Sequence, residues 1–402
     1  MNAIAVVVAL GATAALLLNP RLAGARTWRA TVTPLASIIG SGFLVLGPIL
    51  GRAYGELAVA VMAGLCLAAY ALGGAIRYSI ARIDALGGEH SLPAFAARLN
   101  TASSAALAFA YVVSVTYYLN LFGAFAVALT PRSDVTAGRI VTSAILVFIA
   151  YFGGRHGLAL LEKLEQGAVS VKLSIIAGLI AGLTFYAVEI VGSNTAPTRI
   201  IPDLGLEALF VAFGLVITVQ GFETSRYLGA EYDAATRIRS MRYAQWLASA
   251  IYVVYIGLIG LSIPTDSIGT GETAVIQMTA VVAPILPALL VVAALAAQFS
   301  AAVADTSGCG GLAEELSNGK MRPEVAYGLV AIGGLALTWT ADIYQIISYA
   351  SRAFALYYAL QCAVATVLAA QHADAKRPLR VAGLALLTLA AVAMAAFGVP
   401  AE

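Results

Sequence analysis

The sequence predicts an all-α polytopic membrane protein, and three observations carry that expectation. Hydrophobic residues fill 61% of its 402 positions and charged ones only 11%, with a mean hydropathy of +0.89. Soluble domains carry about 25% charged residues. The apolar residues gather into runs of bilayer-crossing length, for which a helix needs about 20 residues at 1.5 Å rise. The basic residues lie between those runs and favour every second gap, the asymmetry that orients helices in membranes.

The first run, residues 2–19, is about 26 Å long as a helix, barely a span. No Lys or Arg precedes it, and Arg21, Arg26 and Arg29 follow it. That arrangement favours a retained helix with its N-terminus outside over a signal peptide cut near Ala23-Gly24-Ala25. Further spans are expected at 30–53, 56–82, 100–130, 136–153 and 160–192, and after a polar stretch at 205–232, 238–263, 279–307, 323–340, 343–370 and 378–398. The total is about twelve helices. Gaps assigned to the cytoplasm hold sixteen of the 23 Lys and Arg, against four outside (Arg52, Arg132, Arg139 and Arg199). The expected location is the inner (plasma) membrane, multi-pass, with both termini on the outer side.

Two of these spans are interrupted. In Ile38-Ile39-Gly40-Ser41-Gly42-Phe43, two glycines flank a serine inside an apolar run, each glycine costing about 1 kcal/mol against alanine in a helix. A matching interruption stands in the second half, at Gln220-Gly221-Phe222-Glu223. Main-chain polar groups freed in a lipid span are tolerated only where they line a cavity or meet a ligand. The alternative is close helix packing through small residues. Paired breaks in corresponding positions point to a transporter site.

Elementary electrostatics says what such a break would hold. The half-helix after Gly40-Ser41-Gly42 turns its first N–H groups toward one point, which suits a carboxylate. The half-helix before it ends in bare carbonyls at Ser37, Ile38 and Ile39, which suit an ammonium, and Val219 and Gln220 would add more from the second break. A zwitterionic amino acid fits both ends. Phe222 reads either as an apolar lid over the ligand or as an ordinary core aromatic.

Three charges fall inside predicted spans: Lys172, Arg226 and Arg352. An intramembrane ionisable group is a functional candidate by default. Lys172 either snorkels to the interface or faces the core, where its ammonium would meet the carbonyls of the first break and its proton exchange would couple to opening and closing of the site. Glu223 and Arg226 are three residues apart and read either as an internal ion pair or as a gate or proton relay. Arg352 is expected to pair with an acid near the outer gate. Asp305 is expected at the cytoplasmic end of helix 279–307, with Thr306 and Ser307 near the membrane edge. Further polar side chains stand within the spans: Ser114, Thr116, Tyr117, Tyr118 and Asn120 in helix 100–130, and Gln298 and Ser300 in helix 279–307.

The segments Ile39-Gly40-Ser41-Gly42-Phe43, Leu86-Gly87-Gly88-Glu89-His90 and Gly221-Phe222-Glu223 with Ala230-Glu231 and the basic run Arg237–Arg242, together with Lys172 after Gly157, Lys163 and Glu165, stand in the order and spacing of a known family. The chain resembles the amino acid–polyamine–organocation (APC) superfamily transporters of LeuT-type fold. It departs from their pattern in lacking the proline and serine before Gly87-Gly88, in Tyr232 for a second acid, and in the loop proline after it. The resemblance implies a five-plus-five inverted repeat, residues 30–192 against 193–371, preceded by an extra helix and basic loop (1–29) and followed by one helix (372–402). It implies a substrate held between the two breaks, in a pocket lined by the polar residues of helix 100–130, Tyr117 foremost, with Gln298 and Ser300 weaker candidates. It also implies Lys172 where sodium-coupled relatives hold a cation. An NRAMP-like metal transporter is disfavoured because its Asp-Pro-Gly-Asn break has no counterpart at Gly40–Gly42.

The expected function is a secondary active permease of amino acids by alternating access, proton-coupled or exchanging as symporter or antiporter. A carrier or exporter of another small organic amine is the alternative, and a membrane sensor a distant one. An enzyme is not expected: His90, His156 and His372 lie in loops, and no His-Glu-x-x-His, paired-aspartate or Gly-x-Ser-x-Gly pattern occurs. Cys66, Cys309 and Cys362 are scattered in apolar context and suggest neither disulfides nor a metal site. No cofactor and no nucleic acid are expected; the partners are a small solute, protons and the lipid bilayer.

Overall fold

The structure is a computed structural model that describes residues 2–131, 133–156, 159–193, 205–229, 231–264, 269, 271–372 and 374–399, without the side chains of Ser41, Ile217 and residues 156–166. Its α-helices, in chain order, are α1 (Asn2–Leu17), α2 (Pro20–Ala23), α3 (Arg26–Ser41), α4 (Phe43–Tyr54), α5 (Ala58–Ala85), α6 (Ala94–Val127), α7 (Val135–His156), α8 (Ala159–Gly192), α9 (Leu206–Gly214), α10 (Ala234–Ser262), α11 (Ala274–Ala280), α12 (Leu286–Leu316), α13 (Pro323–Thr340), α14 (Ile343–Gln371) and α15 (Arg377–Phe397). Short 3₁₀ turns at Val216–Val219 and Phe222–Tyr227 follow α9. Eight of the described helical stretches are long and apolar enough to cross a bilayer. The expected twelve would add the shorter α1, α3, α9 and α13.

The centre of the bundle is α6, α12 and α14. In these helices 61%, 56% and 67% of the apolar window is buried, against 17% in α15 and 22% in α7, which face outward. Closely spaced small residues let backbones approach. On α8, a Cβ at Gly178 would stand 3.0 Å from the Val6 carbonyl and one at Gly182 2.8 Å from a Val6 methyl. This small-xxx-small stripe seats α1 on α8.

The helix expected over 279–307 is longer and differently placed. Pro284 and Pro287 separate α11 from α12, which starts at Leu286, because proline suits a first turn and not an interior. Gly308, Gly310 and Gly311 do not end α12. Gly308 lies under the Tyr111 ring and Gly310 under Tyr327, so packing offsets their poor helix propensity. The helix stops at Leu316 in a Schellman turn, with Asn318 in the left-handed region (φ 53°) and Gly319 N–H bonded to the Glu314 carbonyl at 2.8 Å. Asp305 therefore lies about 16 Å inside the helix end and is fully buried, not at a cytoplasmic terminus. Thr306, also buried, is likewise interior, which corrects its expected place near the membrane edge.

Candidate functional site

Both expected breaks are present, and they touch. In α3, Ile39 leaves helical geometry (φ −82°, ψ 15°), and Gly42 separates α3 from α4. The first turn of α4 has no side-chain cap, the kind of helix start that suits an anion. In the second half α9 ends at Gly214, and Gly221 turns the chain with φ +115°, a conformation that only glycine adopts without strain. Gly221 lies against the first break: a Cβ there would be 2.6 Å from the Ile38 nitrogen. A Cβ at Gly42 would be 2.4 Å from the Thr218 Cβ. The glycines at the breaks thus permit one backbone-to-backbone crossing.

Side chains from neighbouring helices occupy part of the freed main chain. The buried Lys172 of α8 does not snorkel; its Nζ donates to the Ala36 carbonyl at 2.7 Å and to Ser300 Oγ of α12 at 3.3 Å. Tyr252 of α10 places its hydroxyl on two carbonyls, Ile38 at 2.7 Å and Thr218 at 2.9 Å. That one phenol bridges the two breaks, and sequence reasoning missed it: α10 is a long apolar helix in which Tyr252 and Tyr255 read as core aromatics. Both are buried, and Tyr255 packs on Phe43 with ring centroids 4.4 Å apart and the planes tilted by 34°.

The second break carries most of the remaining polar groups. Gln220 Nε2 donates to the Tyr118 hydroxyl. Tyr118 therefore reaches the break, and Tyr117 is buried beside its ring, with centroids 5.6 Å apart. Glu223 is fully buried, and its Oε2 accepts from Gly221 N–H at 2.9 Å and from the Tyr358 hydroxyl at 2.8 Å. Phe222 stacks flat on Tyr358 (5.2 Å, 13°). Gln220 Oε1, Glu223 Oε1, Ser37 Oγ and Ser225 Oγ are buried and have no hydrogen-bond partner among the described residues, an expensive condition that a ligand or water relieves. Ser41 keeps its place in the first break, but its side chain lies outside the described residues, as do Arg132, Arg199, Gly157, Ala230 and the side chains of Lys163 and Glu165.

Two expected pairings are corrected. Glu223 and Arg226 do not bridge. The carboxylate folds back on Gly221 N–H, while the Arg226 guanidinium runs the other way, to Glu89 Oε1 at 3.3 Å and to Asn100 Oδ1 and Gln361 Oε1. Glu89 is delivered by the Leu86-Gly87-Gly88 turn, where the Gly88 N–H returns to the Ile83 carbonyl at 2.9 Å and Gly87 takes φ +90°. Arg352 meets no acid among its bonds. It is exposed and donates to the Ala395 and Ala396 carbonyls at 3.0 and 2.7 Å, at the C-terminal end of α15 where a cation complements the helix dipole.

Space around the breaks is uneven. The void lined by Ile38, Val219, Gln245 and Tyr252 measures only about 10 Å³, room for one water at most. A cavity of about 470 Å³ reaches toward the breaks from the Arg29 end, lined by Thr33 of α3, Tyr111 of α6, Thr224 and Tyr227 after the second break, and Ser307 and Gly308 of α12. A second cavity of about 420 Å³ lies among Asn120, Arg139, Glu272, Asp342 and Tyr344. Each is within the usual range for small-molecule sites, about 300–1,000 Å³. Among the described residues no group of three or more His, Cys, Asp or Glu could hold a metal.

A family profile described as an APC superfamily transporter matches residues 20–398. An uncharacterized protein of Aquifex aeolicus (strain VF5) is 39% identical over 361 residues, spanning 89% of this chain and 88% of its own.

Proposed function

The chain belongs to the APC superfamily transporters, and from that premise we propose that it is a secondary active permease for amino acids, working by alternating access in a five-plus-five arrangement of helices. The observation that carries the reading is the crossing of the two interrupted helices, with Gly221 packed on Ile38 and Tyr252 bonded to carbonyls of both. The uncapped first turn of α4 would take the substrate carboxylate. The carbonyls of Ala36 and Ile38 are already bonded to Lys172 and Tyr252, so the ammonium falls to the unpartnered oxygens Gln220 Oε1 and Glu223 Oε1. Those two acceptors also favour the second reading, a small organic amine without a carboxylate.

The void of about 10 Å³ beside the breaks, walled mostly by α5 and α10, is too small for either solute. Neither of the two larger cavities is lined by a residue of 37–43 or 219–223, which supports reading this conformation as closed at the site. The cavity at the Arg29 end would be the cytoplasmic vestibule by the basic-residue bias, and the cavity at Asp342 the outer one. Lys172 is the coupling group: it ties α8 to the carbonyl end of the first break and to Ser300, where gain or loss of a proton would loosen or tighten the closed state. Arg226, bonded to Glu89, Asn100 and Gln361, latches the second break to α6 and α14 as a gate. Thermal-shift screening of the purified protein against amino acids, amines and nucleobases tests the assignment, followed by uptake into proteoliposomes. An amino acid that raises the melting temperature, with its decarboxylated amine much weaker, is the expected result. Equal binding of both would give the amine reading, and binding of neither with no uptake would overturn both.

A further inference from the structure

We propose that Asp305 is a second proton-binding site of this transporter, loaded from the cavity at the Arg29 end. It deepens the coupling part of the reading above and rests on that reading for its role in transport. The carboxylate is fully buried in the middle of α12, and an acid placed at that depth in a span is a functional group by default. Its Oδ2 accepts from Ser114 Oγ of α6, which fastens the two most central helices to each other. The Ser114 hydroxyl also lies 3.2 Å from the Tyr111 carbonyl one turn back.

The access route is short. Ala304, Ser307 and Gly308 of α12 and Tyr111 of α6 line the cavity of about 470 Å³, and Asp305 is the next residue after Ala304. Tyr111 closes the floor: its ring lies so near Gly308 that a Cβ there would be 2.8 Å from Cε2. Swinging of that ring would open the wall in front of the carboxylate. Loading is then an ordinary transfer. Asp305 carboxylate and a hydronium ion from cavity water give the carboxylic acid and water, and the reverse step returns the proton.

The groups around it favour a proton over a metal cation. Ser114 supplies a hydroxyl, and among the described residues no group of three or more His, Cys, Asp or Glu could hold a metal, whereas divalent hard cations favour several carboxylate oxygens. The other titratable groups facing this region are Tyr111 on α6, Cys309 on α12, Tyr327 of α13 against Gly310, and Glu223, Tyr227 and Tyr357 around the Tyr111 phenol. Lys172 reaches α12 at Ser300, five residues before Asp305. Ionised, Asp305 accepts the Ser114 hydroxyl; protonated, it becomes a donor, and the fastening between α6 and α12 is remade.

Infrared difference spectra of the reconstituted protein, recorded as pH is stepped, test this without any transported solute. The expected wild-type result is a carbonyl stretch of a protonated carboxyl whose amplitude changes with pH, lost in Asp305→Asn and kept at a moved frequency in Asp305→Glu. In Ser114→Ala the midpoint should shift upward, because the ionised form loses a donor. A pH-dependent spectrum in Asp305→Asn identical to the wild type would overturn the proposal. If Asp305→Asn fails to fold, wild-type frequency and midpoint in both Asp305→Glu and Ser114→Ala would do so. Since no substrate is added, failure here leaves the amino-acid assignment to its own binding screen.

Discussion

Replacing Gly221 by alanine is the most direct test of the crossing. The new Cβ would have to share space with the Ile38 nitrogen and the Ser37 carbonyl carbon, both 2.6 Å from its ideal position. The residue would also be held at φ +115°. Left-handed backbone costs an L-residue about 1–2 kcal/mol, and overpacking by one methyl typically about 1–3 kcal/mol. The sum, about 2–5 kcal/mol, is a sizeable part of a folding stability of about 5–15 kcal/mol but does not exceed it. The variant should remain folded with a lowered melting temperature, while the two breaks are pushed apart and uptake falls by an order of magnitude or more. Gly257→Ala and Gly260→Ala in α10 are the matched controls, since nothing lies within 4 Å of a Cβ at either; there alanine is neutral or stabilising by up to about 1 kcal/mol. Purified yield, melting temperature and initial uptake rate decide. Wild-type uptake by Gly221→Ala would refute the reasoning that this contact shapes the site.

The remaining predictions follow from the same geometry. Gly42→Val, whose Cβ meets the Thr218 Cβ at 2.4 Å and Cα at 2.7 Å, should abolish uptake with the protein still inserted; preserved transport would remove this turn from the site. Tyr252→Phe leaves two carbonyls without their donor and should cost about 1–3 kcal/mol, read as a lower melting temperature and weaker substrate binding; no change in either would contradict the bridge. Lys172→Ala should stop uptake or free it from pH, and normal uptake that still follows pH would count against a coupling role. Arg226→Ala strands Asn100 and Gln361 and should reduce stability far more than Glu89→Gln, because Glu89 is half exposed and such pairs contribute at most about 1 kcal/mol; equal effects would contradict that division. At the exposed N-terminus of α10, the Thr236 N–H bonded to Asp233 holds its carboxyl below the usual aspartate range; this cap stabilises above the unfolded value and weakens only as pH falls through the folded one.

The sequence by itself determined the membrane class, the places of most helices and both interruptions, because lipid demands long apolar runs with internally bonded backbone and each departure from that rule stands out along the chain. Glycines in an apolar span were therefore legible, and so was a lysine at position 172. Partners were not. Glu223 and Arg226 sit three residues apart and looked paired, yet each found better company across the bundle, at Tyr358 and at Glu89 with Asn100 and Gln361. Asp305 was expected at the end of helix 279–307, and only the rings of Tyr111 and Tyr327 packed on Gly308 and Gly310 show why the helix runs on. Nothing along the chain singled out Tyr252, whose hydroxyl lies on both breaks. Hydropathy is a property of each segment taken alone, whereas a buried hydrogen bond depends on which segments the packing brings within 3 Å; the first is written along the chain, the second exists only after it has folded.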